Sequence, residues 1–191
     1  AEGDPCILFH TVGAGSGPPK GVMWPHRSTV LAALIASDAE ALGFTADDVV
    51  LPMTPFWRSG AWGMVFAAPA AGCKLVLPGP RMDASSLLNL IQAENVTFAL
   101  GSPSEIQALS DQMKLVGRPQ ALRRVMIVGA ACPPALIEGL RKDFGIEARC
   151  AWGMVEACGL GAIGAPGALR PPFGVEFEIA DASGNRLPHD G

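Results

Sequence analysis

The stretch that decides the fold is residues 124–152, RVMIVGAACPPALIEGLRKDFGIEARCAW. Arg124–Val128 is a short apolar run of the kind that forms a buried strand. Residues 133–144 predict a helix, because proline stands at its start and Gly145 lies just past its end. Glu147–Trp152 predicts a second strand. A strand, a helix and a strand in this order are typical of a sheet with helices packed on it.

The same alternation continues on both sides of this stretch. It predicts an α/β fold with a mixed, mainly parallel sheet and helices packed on it. We expect a helix from Ser28 with Val30, Leu31, Leu34, Ile35 and Leu42 on its apolar face. The other predicted strands are 6–11, 49–53, 74–77, 97–100 and 175–180, and the other predicted helices are 83–94 and 104–113.

Composition excludes several classes of function. The net charge is −4 over 191 residues, with no basic run of the kind that binds nucleic acid. The longest uncharged stretch, residues 59–73, is too short and too interrupted by glycine and proline to span a membrane. The chain does not open like a secretory signal. Five widely spaced cysteines without a C-x-x-C pattern indicate a reduced environment. We expect a cytoplasmic protein.

A glycine-rich loop follows the first predicted strand. It carries Gly13, Ala14, Gly15, Ser16 and Gly17, and a cation at Lys20. Glycines allow successive backbone N–H groups to turn toward an anion, and a lysine adds a point charge. The loop is not a Walker A motif, because Pro19 stands where that motif has glycine. On glycine content alone, a plain surface loop is the more common explanation.

Two further segments stand at strand ends, where open α/β sheets bind ligands. Residues 129–134 (GAACPP) leave room for a flat ring, although an ordinary strand-to-helix turn is equally compatible with them. Residues 151–156 (AWGMVE) offer an aromatic face and a carboxylate that could hold Mg²⁺ beside phosphates. A core tryptophan and a solvated glutamate are the alternative interpretation.

An aromatic segment at residues 52–64 contains Phe56, Trp57 and Trp62. These side chains could line an apolar cavity, although a hydrophobic core is the usual explanation for such a cluster. The three histidines are not at metal-ligand spacing, and the chain contains no G-x-S-x-G elbow.

Taken in order, these segments resemble the adenylate-forming superfamily, and within it the medium- and long-chain fatty acyl-CoA synthetases. The loop at 7–21 resembles the family's T-S-G-T-T-G-x-P-K-G signature, which Gly17, Pro19, Lys20 and Gly21 match. Residues 152–156 resemble its Tyr/Trp-Gly-Met-Thr-Glu motif. The resemblance covers essentially the whole chain, and the segments that also match are 22–28, 51–63, 74–79, 97–103, 129–134 and 174–191.

The resemblance implies activation of a carboxylic acid by ATP and its transfer to coenzyme A, with Mg²⁺ as the metal. Lys20 and Glu156 are the implied catalytic residues, and Glu156 is the implied Mg²⁺ ligand. The implied acyl pocket is bordered by Trp57, Arg58, Gly60, Gly101, Ser102 and Pro103. The implied nucleotide-binding residues are Gly13, Ala14, Gly15, Ser16, Gly17, Lys20, Gly129, Ala130, Ala131, Ala151, Trp152, Gly153, Met154, Val155 and Glu156.

The sequence also departs from the family. Val155 stands in place of a threonine that touches the α-phosphate, Arg58 in place of a histidine, and Gly15-Ser16 in place of two threonines. Relative to the family, residues 1–191 are expected to be a partial AMP-binding domain that stops before the T-G-D segment and lacks the C-terminal lid. We therefore expect this chain alone to be inactive and prone to self-association. A non-catalytic nucleotide- or acyl-binding domain, or an adenylation domain that loads a carrier protein, remain alternatives.

Overall fold

The computed structural model describes residues 1–11, 17–55 and 59–188, with positions 59, 60 and 62 described by their backbone alone. The strands are β1 Pro5–Thr11, β2 Lys20–Pro25, β3 Val49–Pro52, β4 Lys74–Leu75, β5 Phe98–Gly101, β6 Arg124–Val128, β7 Glu147–Trp152, β8 Ala162–Ala165 and β9 Ala168–Arg170. The helices are α1 His26–Ser37, α2 Ser59–Ala71, α3 Ala84–Glu94, α4 Pro103–Val116 and α5 Pro134–Phe144.

Seven strands form one mixed sheet in the order β4-β3-β5-β6-β7-β8-β9. Pairing is parallel from β4 to β7 and antiparallel from β7 to β9. The predicted mixed, mainly parallel sheet is confirmed. Strands β1 and β2 form a separate antiparallel hairpin.

Helices cover both faces of the sheet, so the molecule has three layers. Alternate residues of a strand point to opposite faces, and β6 shows this with Val125 and Ile127 on one side and Met126 and Val128 on the other. The first side packs against α3, α4 and α5, and the second against α1 and α2. The parallel strands are therefore buried on both faces, which explains their continuous apolar runs.

Helix α1 differs from its prediction. It begins at His26 rather than Ser28 and ends before Leu42. Its buried residues are Thr29, Ala33 and Ala36, whereas Val30, Leu31 and Leu34 are exposed. Small side chains let α1 lie close to α2, and that contact overrides the larger apolar stripe.

The predicted strand at 175–180 is also wrong. The segment forms a single isolated bridge between Ala180 and Arg186. Alternating hydrophobicity shows which residues share a face, but a strand additionally needs a neighbouring backbone to pair with.

A buried ionic network joins the amino ends of the strands. Asp48, which is 3% exposed, precedes β3 and accepts hydrogen bonds from Thr97 Oγ1 at 2.8 Å and Arg124 Nη2 at 2.8 Å. Arg124 also donates to the carbonyls of Leu42 and Gly43. Burial by itself would raise the pKa of Asp48, but hydrogen bonds from Thr45 and Thr97 and the Arg124 guanidinium outweigh it and lower the pKa below its ordinary value.

Replacing this carboxylate tests the network. We expect Asp48→Asn to lower the free energy of unfolding by about 3 kcal/mol at neutral pH, because Arg124 then loses its buried counter-charge. The folded pKa is depressed, so the contribution of Asp48 is present above the unfolded value of about 3.9 and is lost as pH falls through the folded pKa. Urea titrations from pH 7 to pH 3 should show that the difference in free energy of unfolding between Asp48→Asn and wild type becomes smaller below about pH 4. Asp47→Asn, at the exposed neighbouring residue, is the matched control, and an equal cost at both positions would contradict the network's role.

Candidate functional site

The carboxyl ends of β6 and β7 bring two of the predicted segments together. Val128 lies opposite Ala151 in the parallel register, so the turns that follow the two strands leave the sheet side by side. A cavity of about 520 Å³ lies between them. Its lining includes Gly129, Ala130, Ala131, Ala151, Trp152 and Gly153 from the predicted nucleotide-binding set. This volume is in the range that holds a small organic ligand or a nucleotide base with its sugar.

A wall that sequence reasoning missed comes from the β8–β9 hairpin. Pro166, Gly167 and Leu169 line the cavity from that side. Strands β8 and β9 were not predicted, because Gly164, Ala165 and Gly167 have low strand propensity. Their place in the sheet comes from antiparallel pairing with β7.

Trp152 provides the aromatic surface of the cavity. The side chain is 45% exposed and meets Phe177 edge-on, with ring centroids 5.4 Å apart. A Cβ placed on Gly161 would come within 2.7 Å of the indole, so the backbone there packs directly against the ring. The indole is therefore held in one orientation while part of it remains open to the cavity.

The turn after Trp152 is tightly closed. Gly161 N–H donates to the Trp152 carbonyl at 2.9 Å, and Gly159 N–H donates to the Met154 carbonyl at 3.0 Å. A Cβ on Gly153 would lie 1.6 Å from the Gly159 oxygen, so no other residue fits there without moving the turn. The turn contains a short 3₁₀ helix, Val155–Ala157, from which the exposed Glu156 projects.

The β1–β2 hairpin docks on the same turn. Trp24 Nε1 donates to the Val155 carbonyl at 2.7 Å, and the Trp24 ring meets Phe9 at 4.6 Å. The Val155 side chain is 8% exposed and packs with these two rings. Sequence reasoning missed Trp24, although a tryptophan buries a large area and needs a partner for its N–H, which makes it a usable signal.

The glycine-rich segment stands between β1 and β2 in the sequence. Gly13, Ala14, Gly15 and Ser16 lie outside the described residues, so their predicted role stays a prediction. Gly17 and Lys20 are described and exposed, and Lys20 pairs with Thr11 at the loop end of the hairpin. The Trp24 hydrogen bond thus joins the hairpin that carries the loop to the turn that carries Glu156.

The predicted acyl-pocket residues fall into two groups. Trp57 and Arg58 lie outside the described residues, and Gly60 belongs to the first turn of α2. Ser102 caps α4 in a reciprocal capping box with Glu105, and Pro103 is the first residue of that helix. Glu105 also accepts a hydrogen bond from the buried Thr54 at 3.3 Å, which ties the end of β3 to the end of β5.

A second, apolar cavity of about 50 Å³ adjoins the first on the α1 and α2 side of the sheet. It shares Gly129, Ala151, Trp152 and Gly153 with the larger cavity. Leu100 and Met64 also line it, whereas Gly101, Ser102 and Pro103 line neither of these two cavities. The assignment of these three residues to an acyl pocket stays a prediction.

Comparison with known proteins identifies the family. The sequence model of the AMP-binding enzyme family matches residues 1–191. The chain belongs to this family of adenylate-forming enzymes, and the relatives it matches include acyl-CoA ligases.

Individual relatives agree with this assignment. The chain is 40% identical to a 3-methylmercaptopropionyl-CoA ligase of Ruegeria pomeroyi, over 96% of this chain and 37% of the relative. It is 38% identical to a medium-chain-fatty-acid–CoA ligase of Ectopseudomonas oleovorans, over 100% of this chain and 38% of the relative. The chain thus spans less than two fifths of the length of these relatives.

Solved structures agree on the fold. An o-succinylbenzoate coenzyme A synthetase from Bacillus subtilis, in complex with AMP, superimposes with a TM-score of 0.85 over 98% of this chain and 39% of that one, at 23% identity. The N-terminal domain of FACL13 from Mycobacterium tuberculosis gives a TM-score of 0.82 over 94% of this chain and 46% of that one, at 23% identity. Among the residues that the structure describes, no helix is long and apolar enough to cross a membrane.

The turn after Trp152 can be tested with two glycines. We expect Gly153→Ala to lower the free energy of unfolding by about 3 kcal/mol or more, because the added methyl overlaps the Gly159 carbonyl. Gly139→Ala is the matched control: a Cβ there meets nothing within 4 Å, and α5 should gain up to about 1 kcal/mol. Urea unfolding measures both, and a Gly153→Ala protein as stable as wild type would contradict the packing.

Proposed function

We propose that this chain is the nucleotide-binding portion of an acyl-CoA ligase that activates a carboxylic acid with ATP. One observation carries the proposal: in a chain of the AMP-binding family, the cavity between the carboxyl ends of β6 and β7 is lined by Trp152 and by residues 129–131, all of the predicted nucleotide-binding set. The named relatives act on fatty acids and on 3-methylmercaptopropionate, which supports an acyl substrate of this kind.

The proposed reaction has two steps. A carboxylate oxygen of the acid attacks the α-phosphorus of ATP, and pyrophosphate leaves as the acyl-adenylate forms. The thiol of coenzyme A then attacks the acyl carbonyl carbon, and AMP leaves as the thioester forms. Both steps depend on orientation and on charge neutralisation rather than on a covalent enzyme intermediate.

The residues of this chain divide these tasks. Gly129, Ala130 and Ala131 are small and exposed, so they can lie along one face of the adenine. The indole of Trp152 forms the facing wall. Lys20 and the loop that closes the β1–β2 hairpin are proposed to hold the β- and γ-phosphates, because successive N–H groups and an ammonium attract anions.

Glu156 is proposed as the protein ligand of Mg²⁺. Within the described ranges, no three His, Cys, Asp or Glu side chains converge on one point. A single exposed carboxylate fits Mg²⁺, which is commonly held by one or two carboxylates together with substrate phosphates and water. Bound there, the ion would neutralise phosphate charge. Glu156 should therefore contribute to the affinity for ATP and contribute little to the affinity for AMP.

The stacking role of Trp152 gives a first test. We expect Trp152→Ala to weaken binding of a fluorescent ATP analogue by about fivefold to a hundredfold, because base–aromatic stacking is worth about 1–3 kcal/mol. Phe173→Ala is the matched control, since that ring is 83% exposed and lies outside the cavity. Equal affinities in two variants with native circular dichroism would refute the role of the indole.

The metal role of Glu156 gives a second test. In calorimetric titrations, Glu156→Gln should remove most of the Mg²⁺-dependent gain in ATP affinity, on the order of tenfold, because a hydrogen bond or ligand contact to a charged group is worth about 1.5–3 kcal/mol. AMP affinity should change less than twofold, since AMP lacks the β- and γ-phosphates. A parallel loss for both nucleotides would place Glu156 in the turn's structure and not in metal binding.

A further inference from the structure

Two cysteines share the wall of the larger cavity. Cys132 lies in the turn between β6 and α5, and Cys150 lies in β7. Both line the cavity of about 520 Å³. All five cysteines of the chain are free thiols. The other three do not line this cavity, so the pair is a distinct feature of the site.

The fold places the two thiols against each other. Cys150 pairs in register with Ile127, and its side chain faces the α5 side of the sheet. Cys132 packs on the same apolar cluster, and its thiol lies near enough to Cys150 to contribute to the raised pKa of the Cys150 thiol. Cys132 lies outside the paired strands, in the segment between β6 and α5, whereas Cys150 is held in the sheet, so a bond between the sulfurs is expected to move that segment and not the sheet.

The environments of the two thiols differ. Cys150 is 6% exposed, and its burial, followed by its contact with Cys132, raises its pKa to about 12. Because it is buried, Cys150 is not the thiol that an oxidant in solution meets first. Cys132 is partly exposed at the cavity surface and is the sulfur that a small oxidant meets first.

We propose that Cys132 is a site of reversible oxidation by peroxide, with Cys150 as its resolving thiol. The Cys132 sulfur attacks one peroxide oxygen, the O–O bond breaks, and a sulfenic acid and water form. The Cys150 sulfur then attacks the Cys132 sulfur and expels the hydroxyl group, which leaves as water with the Cys150 proton. In total, two thiols are oxidised to one disulfide while hydrogen peroxide is reduced to two waters.

The crosslink has a consequence for the cavity, which rests on the proposed function. The turn 129–133 is proposed to lie along the adenine, and a bond from Cys132 to Cys150 draws this turn toward β7. The cavity narrows on the side where Ala130 and Ala131 line it. Oxidation is therefore expected to weaken nucleotide binding by about tenfold or more, and reduction restores it.

Mass spectrometry tests the crosslink without reference to activity. The chain is treated with hydrogen peroxide, its remaining thiols are alkylated, and it is digested without reductant. We expect a peptide pair joined through Cys132 and Cys150, absent after dithiothreitol. Cys150→Ser should stop at a sulfenic acid on Cys132 that dimedone traps, and Cys158→Ser, a partly buried thiol elsewhere, should crosslink like wild type. Full alkylation of Cys132 and Cys150 after peroxide, or crosslinks between other cysteines, would overturn the proposal.

Nucleotide binding tests separately whether the crosslink narrows the cavity. The affinity for a fluorescent ATP analogue is measured before peroxide, after peroxide and after dithiothreitol, and the ratio before and after is compared between wild type and Cys132→Ser. We expect the wild-type affinity before peroxide to be about ten times the affinity after peroxide, and the Cys132→Ser affinity to be the same before and after. A crosslinked protein with unchanged affinity for the ATP analogue refutes the narrowing of the cavity. A reduced chain that binds no nucleotide refutes the proposed function, and the mass result then decides the oxidation site by itself.

Discussion

The parallel pairing of β6 with β7 is the constraint on which the candidate site depends. Parallel strands end at the same edge of a sheet, so residues 129–133 and 152–156, which are about 20 positions apart in the chain, leave that edge together. The register that sets Val128 opposite Ala151 also sets Ile127 opposite Cys150. The position of the cavity between the two turns, with Cys150 and Trp152 in its wall, follows from this one alignment.

The two edges of the sheet are built differently. At the amino ends, Asp48, Thr97 and Arg124 form a buried network of charged and polar groups that links β3, β5 and β6. Such a network fixes the relative position of the strands, because each partner left alone would be a buried unpaired polar group. At the carboxyl ends the residues are small, and the turns depend on glycine. The network holds the strands in place at their amino ends, and the small residues leave room for a ligand at their carboxyl ends, where open α/β sheets bind ligands.

The sequence was most informative where local signals agreed with burial. Strands β6 and β7 were predicted with their observed bounds, and α5 within one residue, because apolar runs, an initial proline and Gly145 all point the same way. Helix α2 was missed, because it is apolar on all sides and contains Gly60, Gly63 and Pro69, so neither periodicity nor propensity marks it. The β8–β9 wall of the cavity is set by pairing alone. The candidate site was therefore predictable as a set of turns, but not as an enclosed cavity.

Val155 shows why a motif comparison cannot by itself assign a side chain to a ligand. The resemblance places Val155 where the family has a threonine that touches the α-phosphate. In the structure the Val155 side chain lies in an apolar cluster with Phe9 and Trp24, while its carbonyl accepts the Trp24 indole hydrogen bond. The residue therefore contributes to docking the β1–β2 hairpin through both its side chain and its backbone. A hydroxyl in this cluster would need a partner of its own, since burying one unpaired costs about 1–3 kcal/mol. Any gain in phosphate contact from a threonine at this position must exceed that cost, because the same group cannot satisfy both environments.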